Sequence, residues 1–130
     1  MIVPDASVIL EVLLRSPVGA RAEERLWRDD DTLHAPHVID LEVAQVLRRF
    51  TLRDELSERR GRMALELMAR FPIARYPHDA LLPRIWALRN NCTAYDAAYI
   101  ALAEALDATL LTCDERLAGA AGHRADIELI

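Results

Sequence analysis

The sequence predicts an α/β fold, a three-layer α/β/α arrangement with a central, mainly parallel sheet flanked by helices. Three observations carry this expectation. Short apolar runs alternate with longer helical segments along all 130 residues, the pattern of a parallel sheet covered on both faces. Pro4, Pro17, Pro36, Pro72 and Pro77 punctuate those segments, where a missing N–H and a fixed φ stop regular structure. Hydrophobic residues make up 52% against 28% charged, which is globular and large enough for a real core. With aromatics at only 5%, that core must be aliphatic.

The elements follow in order. Met1–Val3 reads as the opening strand, stopped by Pro4. Asp5 or Ser7 can cap a helix over Ser7–Arg15, with Val8, Ile9, Val12 and Leu13 facing inward, and Ser16-Pro17 breaks it. A polar helix follows over Val18–Asp30, and the run Asp29-Asp30-Asp31 reads as a solvated turn. Leu33–Ala35 is a short strand closed by Pro36. A long helix spans Val38–Arg53. Leu56-Ser57-Glu58 opens the next, with Met63, Leu67, Met68 and Phe71 as its apolar set and Pro72 as its end. Ile73–Tyr76 is a strand, Pro77-His78-Asp79 starts a helix through Leu88, and Tyr95–Leu106 is an alanine-rich helix. Ala108–Cys113 is a strand, Asp114–Ala118 a short helix, and Ile127–Ile130 the last strand. No linker, repeat or low-complexity tract interrupts, so one domain is expected over 1–130.

Composition excludes several function classes. No run of about 18 apolar residues suggests a membrane span, and the N-terminus lacks the pattern of a signal peptide. A cytoplasmic protein is expected. Cys92 and Cys113 lack metal-ligand spacing, so any metal should be hard and oxygen-ligated. The net charge of −5 argues against electrostatic coating of nucleic acid, yet allows a phosphodiester to be gripped at one metal site. All 16 basic residues are arginine. The absence of lysine excludes a P-loop and weakens phosphotransfer domains that use an active-site lysine. The four histidines form no triad with a credible nucleophile.

Four acids stand out. Asp5 and Asp114 each follow a strand, at the edge where α/β folds build sites, although either alone can be a helix cap. Glu42 is flanked by Val38, Ile39 and Val46 at helical spacing. An inward-bordering carboxylate there is costly without compensation, from an arginine or from a metal. Asp40, in the first turn, reads as complementing the helix dipole. Asp96 has Tyr99, Ile100 and Ala103 on its stripe and can also close a capping box with Thr93. Glu104 and Asp107 read as solvated. Taken together, four carboxylates from separate segments can hold one or two Mg²⁺ ions.

The surrounding segments resemble a known family. Val3-Pro4-Asp5-Ala6-Ser7-Val8, Ile39-Asp40-Leu41-Glu42-Val43-Ala44, Thr93-Ala94-Tyr95-Asp96-Ala97-Ala98-Tyr99 and Leu111-Thr112-Cys113-Asp114-Glu115-Arg116-Leu117 resemble the PIN-domain ribonucleases, and within them the VapC toxins of type II toxin–antitoxin pairs. The resemblance implies a PIN-like fold and makes Asp5, Glu42, Asp96 and Asp114 the catalytic, metal-binding acids. It gives Ser7 and Thr112 orienting or substrate-contacting roles. It further implies Mg²⁺-dependent hydrolysis of RNA, with Mn²⁺ as a possible substitute and transfer or ribosomal RNA as the target. The partners it implies are a VapB-type antitoxin and a second copy of the chain, with no membrane.

Arg48, Arg49, Arg53, Arg59, Arg60 and Arg62 cluster around the turn after the Glu42 helix, diluted by Asp54, Glu55 and Glu58. Arg48 and Arg49 are the candidate RNA contacts, although a solvated face also explains the cluster. Trp86 and Tyr95 can stack a base but read more naturally as core or interface. Two rival functions stand beside the one the resemblance implies. One is a PIN-type RNA-processing or DNA nuclease outside a toxin system; the other is a catalytically silent binding domain.

Overall fold

The computed structural model describes residues 1–130. The elements run β1 (Ile2–Pro4), α1 (Ala6–Leu13), α2 (Pro17–Trp27), β2 (Leu33–Pro36), α3 (Val38–Leu52), α4 (Glu58–Arg70) and β3 (Ile73–Tyr76). A 3-10 turn (Asp79–Leu81) leads into α5 (Leu82–Ala87), followed by α6 (Ala94–Leu106), β4 (Thr109–Thr112), α7 (Glu115–Ala118) and β5 (Ile127–Leu129). One sheet holds all five strands in the order β3-β2-β1-β4-β5. Every neighbouring pair is parallel. The expected α/β class is observed, with a wholly parallel sheet flanked by seven helices.

The strand order reverses direction at β1. From there the chain builds outward through β2 and β3, then returns to place β4 on the other side. In open parallel sheets the crevice for a site forms at such a switch point, beyond the strands' carboxyl ends. Between β1 and β2 the ladder has one register pair, Ile2 with Leu33, so the two carboxyl ends part.

This explains how Pro4 lies inside β1, where the sequence reading had it ending the strand. Ile2 N–H donates to Thr32 on the β2 side and Asp5 N–H to Leu111 on the β4 side. Alternation turns the Pro4 nitrogen toward β2, past the end of that ladder, where no donor is missed.

Side-chain caps set the helix starts. Asp5, Ser16, Ser57, Thr93 and Asp114 each accept a backbone N–H from the first turn of the helix that follows, satisfying donors that helices leave open. Asp5, rather than Ser7, therefore caps α1, and α2 begins at Pro17 instead of Val18. Helix α2 ends at Trp27, before the acidic run. Asp31 of that run is not simply solvated: it pairs with the Met1 amino group at 2.6 Å and with Arg25 at 3.8 Å. Gly19 lets α2 approach α1, because a Cβ there would meet the Glu11 carbonyl oxygen at 2.1 Å.

Helix α6 forms the centre of the core. Seven consecutive residues, Ala97–Ala103, are buried, and the small alanines allow close packing across β1, β2 and β4. A helix apolar on all sides belongs in the interior. Its far end is clamped by Glu104, which the sequence reading left in solvent. That carboxylate, with a side chain 3% exposed, takes two bonds from Arg84 of α5 at 2.7 and 2.9 Å and one from Arg124 N–H at 2.9 Å.

The apolar set expected for α4 is half wrong. Met68 is buried, but Met63 and Leu67 are about half exposed at 52% and 47%. Gly61 and Ala64 make the close contact in their place, so the helix packs through its small residues. Trp86 and Tyr95 are likewise outside the core, 69% and 61% exposed.

The Arg84 guanidinium holds the Glu104 carboxyl down at about 2. A depressed carboxylate stabilises the fold above its unfolded value, near 4.5, and loses that contribution as pH falls toward 2. Glu104→Gln should therefore cost about 1–3 kcal/mol at pH 7. In urea titrations the gap from the parent protein should narrow steadily below pH 4.5. A gap independent of pH would show that the charge on Glu104 contributes nothing.

Candidate active site

Asp5, Glu42, Asp96 and Asp114 line one cleft of about 850 Å³ beyond the carboxyl ends of β1, β2 and β4. The four acids arrive on four different elements. Asp5 follows β1 and caps α1, and Asp114 follows β4 and caps α7. Asp96 stands in the first turn of α6, and Glu42 is on α3. Capping and lining the cleft are therefore not alternatives, because Asp5 and Asp114 do both.

Asp5 is the most enclosed of the four, 5% exposed. Its Oδ1 accepts from Ser7 Oγ at 2.5 Å and Val8 N–H at 3.1 Å, and its Oδ2 accepts from Thr112 Oγ1 at 2.5 Å. Burial pushes its pKa up, and these hydrogen bonds offset only part of the push. Thr112, itself fully buried, also accepts the Asp114 N–H at 2.9 Å. Ser7 accepts the Cys113 N–H at 2.9 Å. Each hydroxyl thus links the loop after β1 to the end of β4.

Glu42 is half-buried, and its partner is a hydroxyl and not an arginine. Tyr99 OH, on a residue 2% exposed, donates to Glu42 Oε2 at 2.5 Å. Burial raises the Glu42 pKa most, the Tyr99 bond lowers it, and the charges of Asp5 and Asp96 raise it again. Desolvation raises Asp96 too, opposed by Arg116 and by the Thr93 cap and reinforced by Asp114. These mutual effects run along the whole acidic set, so the four groups share one field. Asp40, two residues from Glu42, is turned away into a two-bond pair with Arg75 at 2.7 and 2.9 Å.

The donor set consists of carboxylate oxygens, which suits a hard divalent cation. No three of the acids close into a ready chelate, so enclosing an ion requires side-chain rotation. The adjacent Cys113 thiol is pushed up to about 11 by burial and by the Asp5 and Glu11 charges, so at neutral pH it is not a thiolate nucleophile.

Arg48 and Arg49 lie on the cleft wall, together with Tyr95 and Arg116. Arg53, Arg59, Arg60 and Arg62 point into solvent outside it. The arginine cluster therefore divides into two cleft residues and a solvated remainder. Two site residues escaped the sequence reading. Tyr99 counted as apolar stripe, although its hydroxyl, three residues after Asp96, was the available signal. Arg116 had its signal in its place two residues after Asp114.

An all-carboxylate centre at the switch point of a parallel sheet defines the class of protein. The description "PIN domain" belongs to the family model that matches residues 2–122. Ribonuclease VapC9 of Mycobacterium tuberculosis is 45% identical over 117 residues, 90% of this chain and 88% of that one. Ribonuclease VapC12 of the same organism is 40% identical over 130 residues, covering 100% and 99%. The crystal structure of VapBC2 from Rickettsia felis, bound to a DNA fragment from their promoter, superposes with a TM-score of 0.71 at 13% identity, covering 99% of this chain and 98% of that one. The chain belongs to the PIN-domain family, among the VapC ribonucleases.

Because burial and the neighbouring acids raise Glu42, its ionisation penalises the folded state. Without divalent ions, the stability it permits is full below its unfolded value, near 4.5, and is lost as pH rises through the raised folded value. Glu42→Gln keeps an acceptor for Tyr99 and should raise Tm by a few degrees at pH 7.5 while leaving it unchanged at pH 4. Thermal melts at both pH values check this; a variant less stable at pH 7.5 would contradict the repulsion.

Proposed function

We propose that this protein is the toxin of a type II toxin–antitoxin pair, an endoribonuclease hydrolysing RNA phosphodiester bonds at a Mg²⁺ centre held by Asp5, Glu42, Asp96 and Asp114. The observation that carries the reading is the convergence of those four acids on one cleft. The names of the VapC ribonuclease relatives support the ribonuclease activity. The proposal treats residues 1–130 as one catalytic domain.

When bound, the ion supplies Lewis-acid activation of water and neutralises charge on the scissile phosphate. The protein supplies the rest. Ser7 and Thr112 orient Asp5 by hydrogen bonds, and Tyr99 orients Glu42. Arg48 and Arg49 line the approach, and their planar forks match phosphate oxygens. The chain carries a net charge of −5, so general affinity for RNA is weak and depends on the centre being charged with metal. Mn²⁺ substitutes for Mg²⁺ in this reading. Structured transfer or ribosomal RNA is the target and 5′-phosphate ends are the products.

A VapB-type antitoxin is the partner and a homodimer the working unit. Exposed Met63, Leu67 and Trp86 give protein partners apolar surface to cover. No helix is long and apolar enough to cross a membrane, and the site of action is proposed to be the cytoplasm.

Asp5→Asn and Asp96→Asn should each lower Mg²⁺-dependent RNA cleavage about 10²-fold or more while circular dichroism stays native; full activity in both would remove the carboxylate centre from the mechanism. Mapping the cleaved ends should show 5′-phosphates, and EDTA should stop the reaction. Arg48→Ala with Arg49→Ala should raise KM several-fold and flatten its dependence on salt, with kcat little changed. An unchanged KM would place the RNA elsewhere.

A further inference from the structure

Arg116 occupies an unusual position. Its Nη2 lies 3.3 Å from Asp96 Oδ2 and 3.4 Å from Asp114 Oδ2. Both contacts are long for charge-assisted bonds, which typically fall at about 2.7–2.9 Å. They use the same nitrogen, and the side chain is 70% exposed. The structural arginines of this chain behave differently. Arg75 grips Asp40 and Arg84 grips Glu104, each through two nitrogens at 2.7 and 2.9 Å. Arg116 is thus held loosely, with most of its donors unspent. Its backbone is not loose, since its N–H is bonded to Asp114 Oδ1 at 2.8 Å at the start of α7. Only the side chain is free to move.

We propose that Arg116 bridges Asp96 and Asp114 as a stand-in cation in the ion-free protein. When a divalent cation takes those carboxylates, the guanidinium is released to hold an RNA phosphate at the mouth of the same cleft. The proposal rests on the acidic-centre reading above. A guanidinium and a divalent ion cannot share two carboxylates at this range without strong mutual repulsion. The displaced side chain stays beside the cleft that Arg48 and Arg49 also line, where its fork matches a phosphate,. Ion binding and phosphate binding are therefore linked through one side chain, and the linkage is reciprocal.

The test uses Mn²⁺ alone and a short fluorescein-labelled single-stranded DNA, a phosphate backbone without the ribose hydroxyl. Calorimetric titration with Mn²⁺ should show Arg116→Gln binding about 3–10-fold more tightly than the parent protein. Arg116→Lys, which keeps the charge, should stay near the parent value. By fluorescence anisotropy, Mn²⁺ should strengthen oligonucleotide binding to the parent protein and do so much less for Arg116→Gln. Equal Mn²⁺ affinity in the parent and Arg116→Gln, or an equal Mn²⁺ effect on the oligonucleotide, overturns the proposal while leaving the carboxylate centre intact. Tightening in Arg116→Lys as large as in Arg116→Gln also overturns it, because charge would then not be the cause. No Mn²⁺ binding to either protein overturns the carboxylate centre and this inference together.

Discussion

One buried hydroxyl ties the acidic centre to the sheet. Thr112 Oγ1 donates to Asp5 Oδ2 at 2.5 Å and accepts the Asp114 N–H at 2.9 Å. A single side chain therefore orients the acid after β1 and the backbone of the acid after β4. It can do so only because the two strands are parallel neighbours with Pro4 opposite Leu111. Valine would fill the same space but would leave a buried carboxylate oxygen without its donor, a loss of about 1–3 kcal/mol. Ser7 repeats the logic from the other side, donating to Asp5 and accepting from Cys113. The switch-point topology thus becomes a site through two hydroxyls whose donor and acceptor capacities are both used.

The same helix shows two treatments of a carboxylate. Glu104 at the end of α6 is sealed by a two-bond guanidinium and a backbone N–H, and its pKa falls to about 2. Asp96 at the start of α6 faces the cleft, and burial and Asp114 drive its pKa up against the pull of Arg116. The first arrangement stabilises the fold and is chemically silent. The second costs stability and leaves negative charge open to a ligand. Clamping one end of the helix while the other carries unrelieved charge is how a fold can sustain the proposed site at a cost to its own stability.

The sequence made the alternation of strands and helices legible, and with it the edge that carries Asp5 and Asp114. Glu42 and Asp96 were legible as charges on apolar stripes. Other features depend on which element covers which face, and a helical period does not report that. Helix α4 packs through Gly61 and Ala64, so its larger Met63 and Leu67 are left in solvent although their spacing suits a core. Glu104 looked solvated because its partner, Arg84, lies on another helix. Tyr99 satisfies an apolar pattern with its ring and a polar function with its oxygen, and only the position of α3 in space brings Glu42 to that oxygen. The strand order was equally hidden, since parallel pairing of β1 with β4 joins segments more than 100 residues apart.

Three of the four acids stand where helices begin: Asp5 caps α1, Asp114 caps α7, and Asp96 is in the first turn of α6. That placement is physically useful, because open N–H groups and the positive end of the helix dipole favour a negative charge by about 0.3–1 kcal/mol each. Glu42 lies further along α3 and lacks this help, and it is the acid that receives a dedicated hydroxyl from Tyr99. The fold thus gives every acid some local compensation. Yet Asp5, Glu42 and Asp96 remain raised, with desolvation the largest cause for each. Helix ends and hydroxyls can orient such a set but cannot neutralise it, and the cleft's one carboxylate-bound cation, Arg116, reaches two of the four acids through a single nitrogen. The remaining negative charge is what the proposed divalent cation would neutralise.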